Sequence, residues 1–180
     1  MQYISKYESP FGEIVLASDG NALTGCWFTG QKYFARTLSN DYEESDLPIF
    51  RQVAEWLDCY FSGCNPNFTP PLYLNGTAFQ VSVWRILQQI PYGKVVTYSD
   101  IAKEIAHERG RAKISAQAVG GAVGHNPISI IVPCHRVVGS DGSLTGYAGG
   151  VDRKAKLLNI ERAIYKENKI SSNVCGNQKK

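Results

Sequence analysis

Three prolines within the segment Cys64-Asn65-Pro66-Asn67-Phe68-Thr69-Pro70-Pro71 constrain this chain more than any other feature, because they can continue neither a helix nor a central strand. They separate two stretches of different periodicity. Residues 1–28 alternate and break at Ser9-Pro10-Phe11-Gly12 and at Asp19-Gly20-Asn21, as a small strand meander does. Ile49, Phe50, Val53, Trp56, Leu57, Tyr60 and Phe61 then recur at helical spacing and predict a closing helix. A first unit is therefore expected over residues 1–72. Beyond the break, Phe79, Val83, Ile86, Leu87 and Ile90 share one helical face that Pro91-Tyr92-Gly93 ends, which opens a second unit over 77–163. The fold class expected is α+β: a small strand-rich N-terminal domain, then a mainly helical C-terminal domain. Residues 164–180 are polar and are expected to form a disordered tail.

Within the second unit, Thr97-Tyr98-Ser99-Asp100 reads as a capping box that places Tyr98 in the first turn of a short helix. Ser115 can cap another helix from Ala116 to Gly124, which Asn126-Pro127 terminates. Two short helices joined by a turn-rich connection suggest a helix-turn-helix. Gly120-Gly121 inside the second helix costs roughly 1 kcal/mol per glycine relative to alanine. Either a neighbouring helix or a nucleic-acid backbone comes close there.

Charge is uneven along the chain. Residues 1–90 hold 5 basic and 9 acidic side chains, whereas 91–163 hold 10 and 6, so an anionic partner is expected at the second half. No basic segment followed by an apolar run opens the chain, and no apolar run reaches membrane-spanning length, so a cytoplasmic protein without a membrane partner is expected. The 5 cysteines (Cys26, Cys59, Cys64, Cys134 and Cys175) are odd in number and lack both disulfide-framework and zinc spacing. Free thiols, no metal and no cofactor are the expectation.

The apolar run Ile128-Ser129-Ile130-Ile131-Val132 predicts a buried strand that ends abruptly in Pro133-Cys134-His135-Arg136. A thiol is thus placed where buried backbone meets the surface. Gly139-Ser140-Asp141-Gly142-Ser143-Leu144-Thr145-Gly146-Tyr147-Ala148-Gly149-Gly150 follows, a glycine-laden loop able to wrap a flat ligand. In an extended chain Cys134 and His135 would point to opposite faces, so their communication needs a bridging water or a turn at the pair.

Pro133-Cys134-His135-Arg136-Val137, with Gly120-Gly121-Ala122 and Asn126-Pro127 before it and Gly146-Tyr147-Ala148-Gly149-Gly150 after it, closely resembles the methylated-DNA-protein-cysteine methyltransferases. The resemblance covers about residues 77–163, and residues 1–72 resemble that family's first domain only loosely. It implies a protein that flips O6-alkylguanine out of double-stranded DNA and moves the alkyl group irreversibly to its own cysteine, with O4-alkylthymine left open as a second substrate. It implies Cys134 as nucleophile, activated through water by His135, with Glu161 orienting the imidazole and Asn126 bracing the turn. Tyr98 would donate to guanine N3, the Ala148 N–H would hold O6, and carbonyls of Cys134 and Val137 would receive the exocyclic amine. Tyr147 and Gly149 would form pocket wall, and Lys154 would support the loop. Gln117, Ala118, Gly120, Gly121 and Arg136 would meet DNA through its minor groove, and the protein would act as a monomer.

Attack on an alkyl carbon favours a soft thiolate, so a thiol pKa below the free value of about 8.5 is expected at Cys134. The thioether product lacks an electrophilic centre for water to attack, so single turnover follows from the bond. One departure stands out: Gln117 occupies a position where the family commonly has an arginine that fills the space left by the flipped nucleotide. Two other readings compete. One is a non-reacting lesion-binding protein, against which the presence of Cys134 argues, and the other is a cysteine hydrolase, which would need an oxyanion hole and many turnovers.

Overall fold

The computed structural model describes residues 1–163; the expectation of a disordered tail over 164–180 lies outside the described residues. Strands β1 (Gln2–Ser9), β2 (Gly12–Ser18) and β3 (Leu23–Phe28) form an antiparallel meander, and β4 (Tyr42–Glu44) joins parallel to β1, giving the order β3-β2-β1-β4. Gly12 (φ +115°) and Gly20 (φ +100°) turn the chain at the two predicted breaks. Helix α1 (Pro48–Phe61) begins on a proline, whose missing N–H costs nothing at that position, and it buries Ile49, Phe50, Val53, Trp56, Leu57 and Tyr60.

Helices α2 (Ala78–Gln89), α3 (Tyr98–Glu108), α4 (Ala116–Gly124) and α5 (Val151–Ile160) make up the second half. The predicted capping box at α3 is present, with the Asp100 N–H bonded to the Thr97 hydroxyl and the Thr97 N–H to the Asp100 carboxylate, each at 3.1 Å. Ser115 caps α4 through the Ala118 N–H at 3.0 Å. Thr77 and Gln80 form a second capping box at α2. Strands β5 (Val96–Thr97) and β6 (Val137–Val138) add a short parallel pair. No described helix is long and apolar enough to cross a membrane.

Residues 128–132 are buried as predicted, yet they do not form a strand. Only Ile128 makes a strand-like bridge, to Cys26, and the rest is a turn in which Ile130 adopts φ +69°. The reason is local: the Asn126 side chain supplies hydrogen bonds that a strand ladder would otherwise have provided. Its Nδ2 donates to the carbonyls of Ile128 (3.1 Å) and Val132 (2.8 Å), while its Oδ1 accepts from the Ile128 N–H (3.0 Å).

This turn is fastened to the sheet. The Cys26 N–H donates to the Pro127 carbonyl (2.9 Å) and the Ser129 N–H to the Cys26 carbonyl (2.8 Å), so the outer edge of β3 carries the segment leading to Cys134. One apolar cluster runs through both halves, joining Ile14, Phe28 and Leu57 to Val83, Val132 and Val137.

Candidate functional site

A short 3-10 helix, Cys134–Arg136, follows the turn. It rotates successive side chains by about a third of a turn, which resolves the opposite-face problem of an extended Cys-His pair. Cys134 lies at the wall of a cavity of about 860 Å³ bounded by α4, by the loop 139–148 and by Lys32 and Tyr33 from the first half. Among the described residues, no aspartate or glutamate lines it. Such a cavity suits an electron-rich guest, since no fixed anion opposes it.

Behind the thiol, fully buried His135 donates from Nε2 to Glu161 Oε1 at 2.6 Å. Burial alone would push the Glu161 carboxyl up, but hydrogen bonds and charge from His135 and Arg136 outweigh it and bring the group to about 2. Glu161 is therefore ionised and can only accept, so the His135 proton sits on Nε2 and Nδ1 is left as an acceptor. Nδ1 is buried and has no hydrogen-bond partner among the described residues. Burial lowers the His135 pKa against the raising effect of Glu161, which keeps the ring neutral at neutral pH, in the form that can take up a proton.

Cys134 departs from expectation. Burial raises its pKa, and the opposing effects of the Asn126 side chain and the Lys154 charge do not overcome it. The resting site therefore holds a neutral thiol beside a base, and not a preformed thiolate.

The glycine loop is held from two sides. Lys154 Nζ, with its pKa lowered to about 8 by burial, donates to the carbonyls of Thr145 (2.8 Å) and Gly146 (3.2 Å). Tyr98, at the start of α3, donates its hydroxyl to the Thr145 carbonyl at 3.0 Å, so it reaches the loop from the helix-turn-helix. Tyr147 and Ala148 line the cavity. Gly149 is buried where a Cβ would fall 2.6 Å from the Tyr147 ring. Val137 is buried in β6, directly after the 3-10 helix. On α4, Gln117, Gly120 and Gly121 face the cavity, and exposed Ala118 stands beside them. A Cβ on Gly121 would meet nothing and one on Gly120 would meet only the Tyr98 ring at 3.8 Å, so these glycines are not a helix-packing device.

Models of two domains match this chain: "6-O-methylguanine DNA methyltransferase, ribonuclease-like domain" over residues 2–74 and "6-O-methylguanine DNA methyltransferase, DNA binding domain" over 78–163. The chain belongs to the 6-O-methylguanine DNA methyltransferase family. Among its relatives, the methylated-DNA–protein-cysteine methyltransferase of Haemophilus influenzae is 39% identical over 166 residues, covering 91% of this chain and 88% of that protein. The constitutive enzyme of that name from Bacillus subtilis is 38% identical over 170 residues, covering 93% and 99%. The crystal structure of Mycobacterium tuberculosis OGT in complex with DNA matches with a TM-score of 0.78 at 41% identity, covering 89% of this chain and 92% of that one. DNA is thus the partner of this family member, and the stretch matched by the DNA-binding model carries Cys134, His135 and Glu161.

Arg136, expected among the DNA contacts, turns its guanidinium inward: it is only 8% exposed, with Nε and Nη2 on the Glu161 carboxylate (2.9 and 3.1 Å) and Nη1 on the Ile90 carbonyl (2.6 Å). Its charge is spent on holding Glu161 ionised. Three residues escaped sequence reasoning. Tyr60 was legible only as a core residue of α1, yet its hydroxyl reaches Glu161 Oε1 at 2.8 Å. Lys32 and Tyr33 lie in an irregular connection without periodicity. The Lys32 N–H donates to the Ala148 carbonyl (2.9 Å), and the Tyr33 ring stacks on His125 at 4.0 Å between centroids.

Proposed function

We propose that this family member repairs DNA by flipping an O6-alkylguanine from the duplex into the cavity beside Cys134 and taking the alkyl group onto the thiol, once per molecule. The observation that carries the reading is a buried thiol on the cavity wall next to a neutral imidazole whose free Nδ1 is set by an ionised Glu161. His135 Nδ1 takes the Cys134 proton through a water as Sγ attacks the alkyl carbon. The S–C bond forms while the C–O6 bond breaks, its electron pair passes to the guanine, and the base picks up a proton to leave as ordinary guanine. Tyr98 exchanges its loop carbonyl for guanine N3, the Ala148 N–H holds O6, and the carbonyls of Cys134 and Val137 receive the exocyclic amine. Donors at N3 and O6 gain strength as negative charge develops there. Tyr147 and Gly149 shape the wall, Lys154 holds the loop and Asn126 holds the turn.

The open glycine face of α4 and exposed Gln117 and Ala118 lie against the minor groove, and the extrusion of the base costs a few kcal/mol. The protein acts as a monomer without metal or cofactor, in the cytoplasm, where DNA and reducing conditions coincide. Intact-mass analysis after incubation with duplex DNA containing O6-methylguanine tests this. One methyl group mapped to Cys134, and none on Cys134→Ala, is expected. Methyl transfer to Cys26, Cys59, Cys64 or Cys175, or repeated turnover, refutes it.

A further inference from the structure

Glu161 Oε1 is crowded. It accepts from His135 Nε2 (2.6 Å), from Arg136 Nη2 (3.1 Å) and from the Tyr60 hydroxyl (2.8 Å), while Oε2 accepts from Arg136 Nε (2.9 Å) and the Gly93 N–H (3.1 Å). Tyr60 belongs to α1, and among the described residues it is the one side chain of residues 1–72 that donates to this carboxylate. Its phenol oxygen also lies 3.3 Å from His135 Nε2. The ring cannot drift, because it is stacked on Trp56 (5.4 Å, 9°) and meets Tyr92 and His135 edge-on. It is entirely buried, so water cannot replace its donor.

We propose that Tyr60 is a positioning residue for alkyl transfer: its phenol pins Glu161 Oε1 against His135 Nε2, fixing the tautomer that leaves Nδ1 to accept the Cys134 proton. The reading rests on the proposed reaction at Cys134, and it gives the strand-rich half of the chain a part in the chemistry. A carboxylate oxygen with three donors has little freedom to rotate, so the imidazole it holds is fixed in plane and in protonation state. The phenol also draws charge from Oε1. That favours retention of the proton by the imidazolium over its passage to the carboxylate. Removing the hydroxyl while keeping the ring leaves Glu161 a stronger acceptor and His135 a stronger, less well oriented base.

The test uses the full chain with Tyr60→Phe, which keeps the ring and its packing. Transfer rates to free O6-benzylguanine are followed across the pH range in which His135 titrates, and imidazole 15N shifts are read on the unreacted protein. The expected result is a rate roughly tenfold lower at neutral pH, on the scale of lost outer-sphere partners. The acid inflection should move upward by about half a unit or more, and the 15N shifts should depart from those of a pure Nε2-protonated ring. A fluorinated tyrosine at position 60 alone, a stronger donor of nearly the same shape, should move the inflection downward and so covers failure of the phenylalanine variant to fold. Unchanged inflection and shifts in both variants overturn the proposal, as does a slower rate with an unmoved inflection, which marks mere loosening. The 15N shifts decide the role of Tyr60 even if wild type takes no alkyl group on Cys134, an outcome that would defeat the proposed function instead.

Discussion

Replacing Asn126 with alanine should destabilise the protein by about 2–5 kcal/mol, and the structure shows where that comes from. The Ile128 N–H is buried and loses its Oδ1 acceptor, which costs roughly 1–3 kcal/mol for an unsatisfied group. The carbonyls of Ile128 and Val132 lose Nδ2 but keep the Val132 N–H (3.2 Å) and the Cys134 N–H (2.8 Å), so each loses only about 0.5–1 kcal/mol. The left-handed Ile130 adds a drive for the turn to relax once its brace is gone. Thermal and urea unfolding, followed by tryptophan fluorescence, should show Tm lower by roughly 5–20 °C for a chain of this length. Asn126→Asp supplies the sharper test. It keeps the acceptor for Ile128 but turns a carboxylate oxygen towards two carbonyls. Burial then raises the pKa of the introduced carboxyl above the ordinary aspartate value of about 3.9, so the variant should lose stability as pH rises through that region, where wild type gains it. A cost below about 1 kcal/mol for alanine, or an aspartate variant as stable as wild type at neutral pH, would refute this reasoning.

Glu161→Gln should slow transfer at neutral pH and leave a rate that climbs only as the thiol ionises unaided at higher pH; combined with His135→Ala it should be little worse than His135→Ala alone, and additive losses in single-turnover assays would remove Glu161 from the relay. The same change strands the buried Arg136 cation, so it should also cost about 3–5 kcal/mol in urea unfolding, and a neutral effect there would contradict the pairing. Wild type should lose stability in acid in two stages. His135, lowered from 6.5, stabilises above that value and ceases to as pH falls below it; Glu161, lowered from 4.5 to about 2, contributes fully above about 4.5 and loses this as pH falls towards 2, so urea midpoints of Glu161→Gln should be flatter over that lower range. Gln117→Arg should accelerate repair of duplex O6-methylguanine more than of single-stranded lesion and leave free O6-benzylguanine nearly unchanged, because in the proposed reaction exposed Gln117, at the cavity rim on α4, meets the DNA stack; equal gains on all three substrates would place its effect in the folded site.

Local signals carried the elements well. The Thr97-Asp100 box and the Ser115 cap are chemistry within a few residues, and each appears in the structure where the sequence placed it. The apolar run at 128–132 misled because burial and strand were read together, when a single asparagine can satisfy a buried turn. The partners of Arg136 were illegible for another reason: only the tertiary fold brings Glu161 and the Ile90 carbonyl to it. Tyr60 and Glu161 lie 101 positions apart, and Lys32 meets Ala148 across the two halves, so no periodicity within either half could report those contacts.

The clasp between β3 and the active-site turn has a consequence for the order in which the molecule can be made. A ribosome delivers Cys26 about a hundred residues before Pro127 and Ser129, whose backbone groups complete its hydrogen bonds. At roughly 5–20 residues per second, the nascent sheet waits about 5–20 seconds with Cys26 unpaired on that edge and its apolar face lacking Val132 and Val137. Residues 71–73 emerge earlier and pair with the Leu23 end of that edge, so it is the part at Cys26 that stays unpaired, a template for pairing with other chains. The meander reaches its final form only when the segment leading to the reactive cysteine has emerged to cover it.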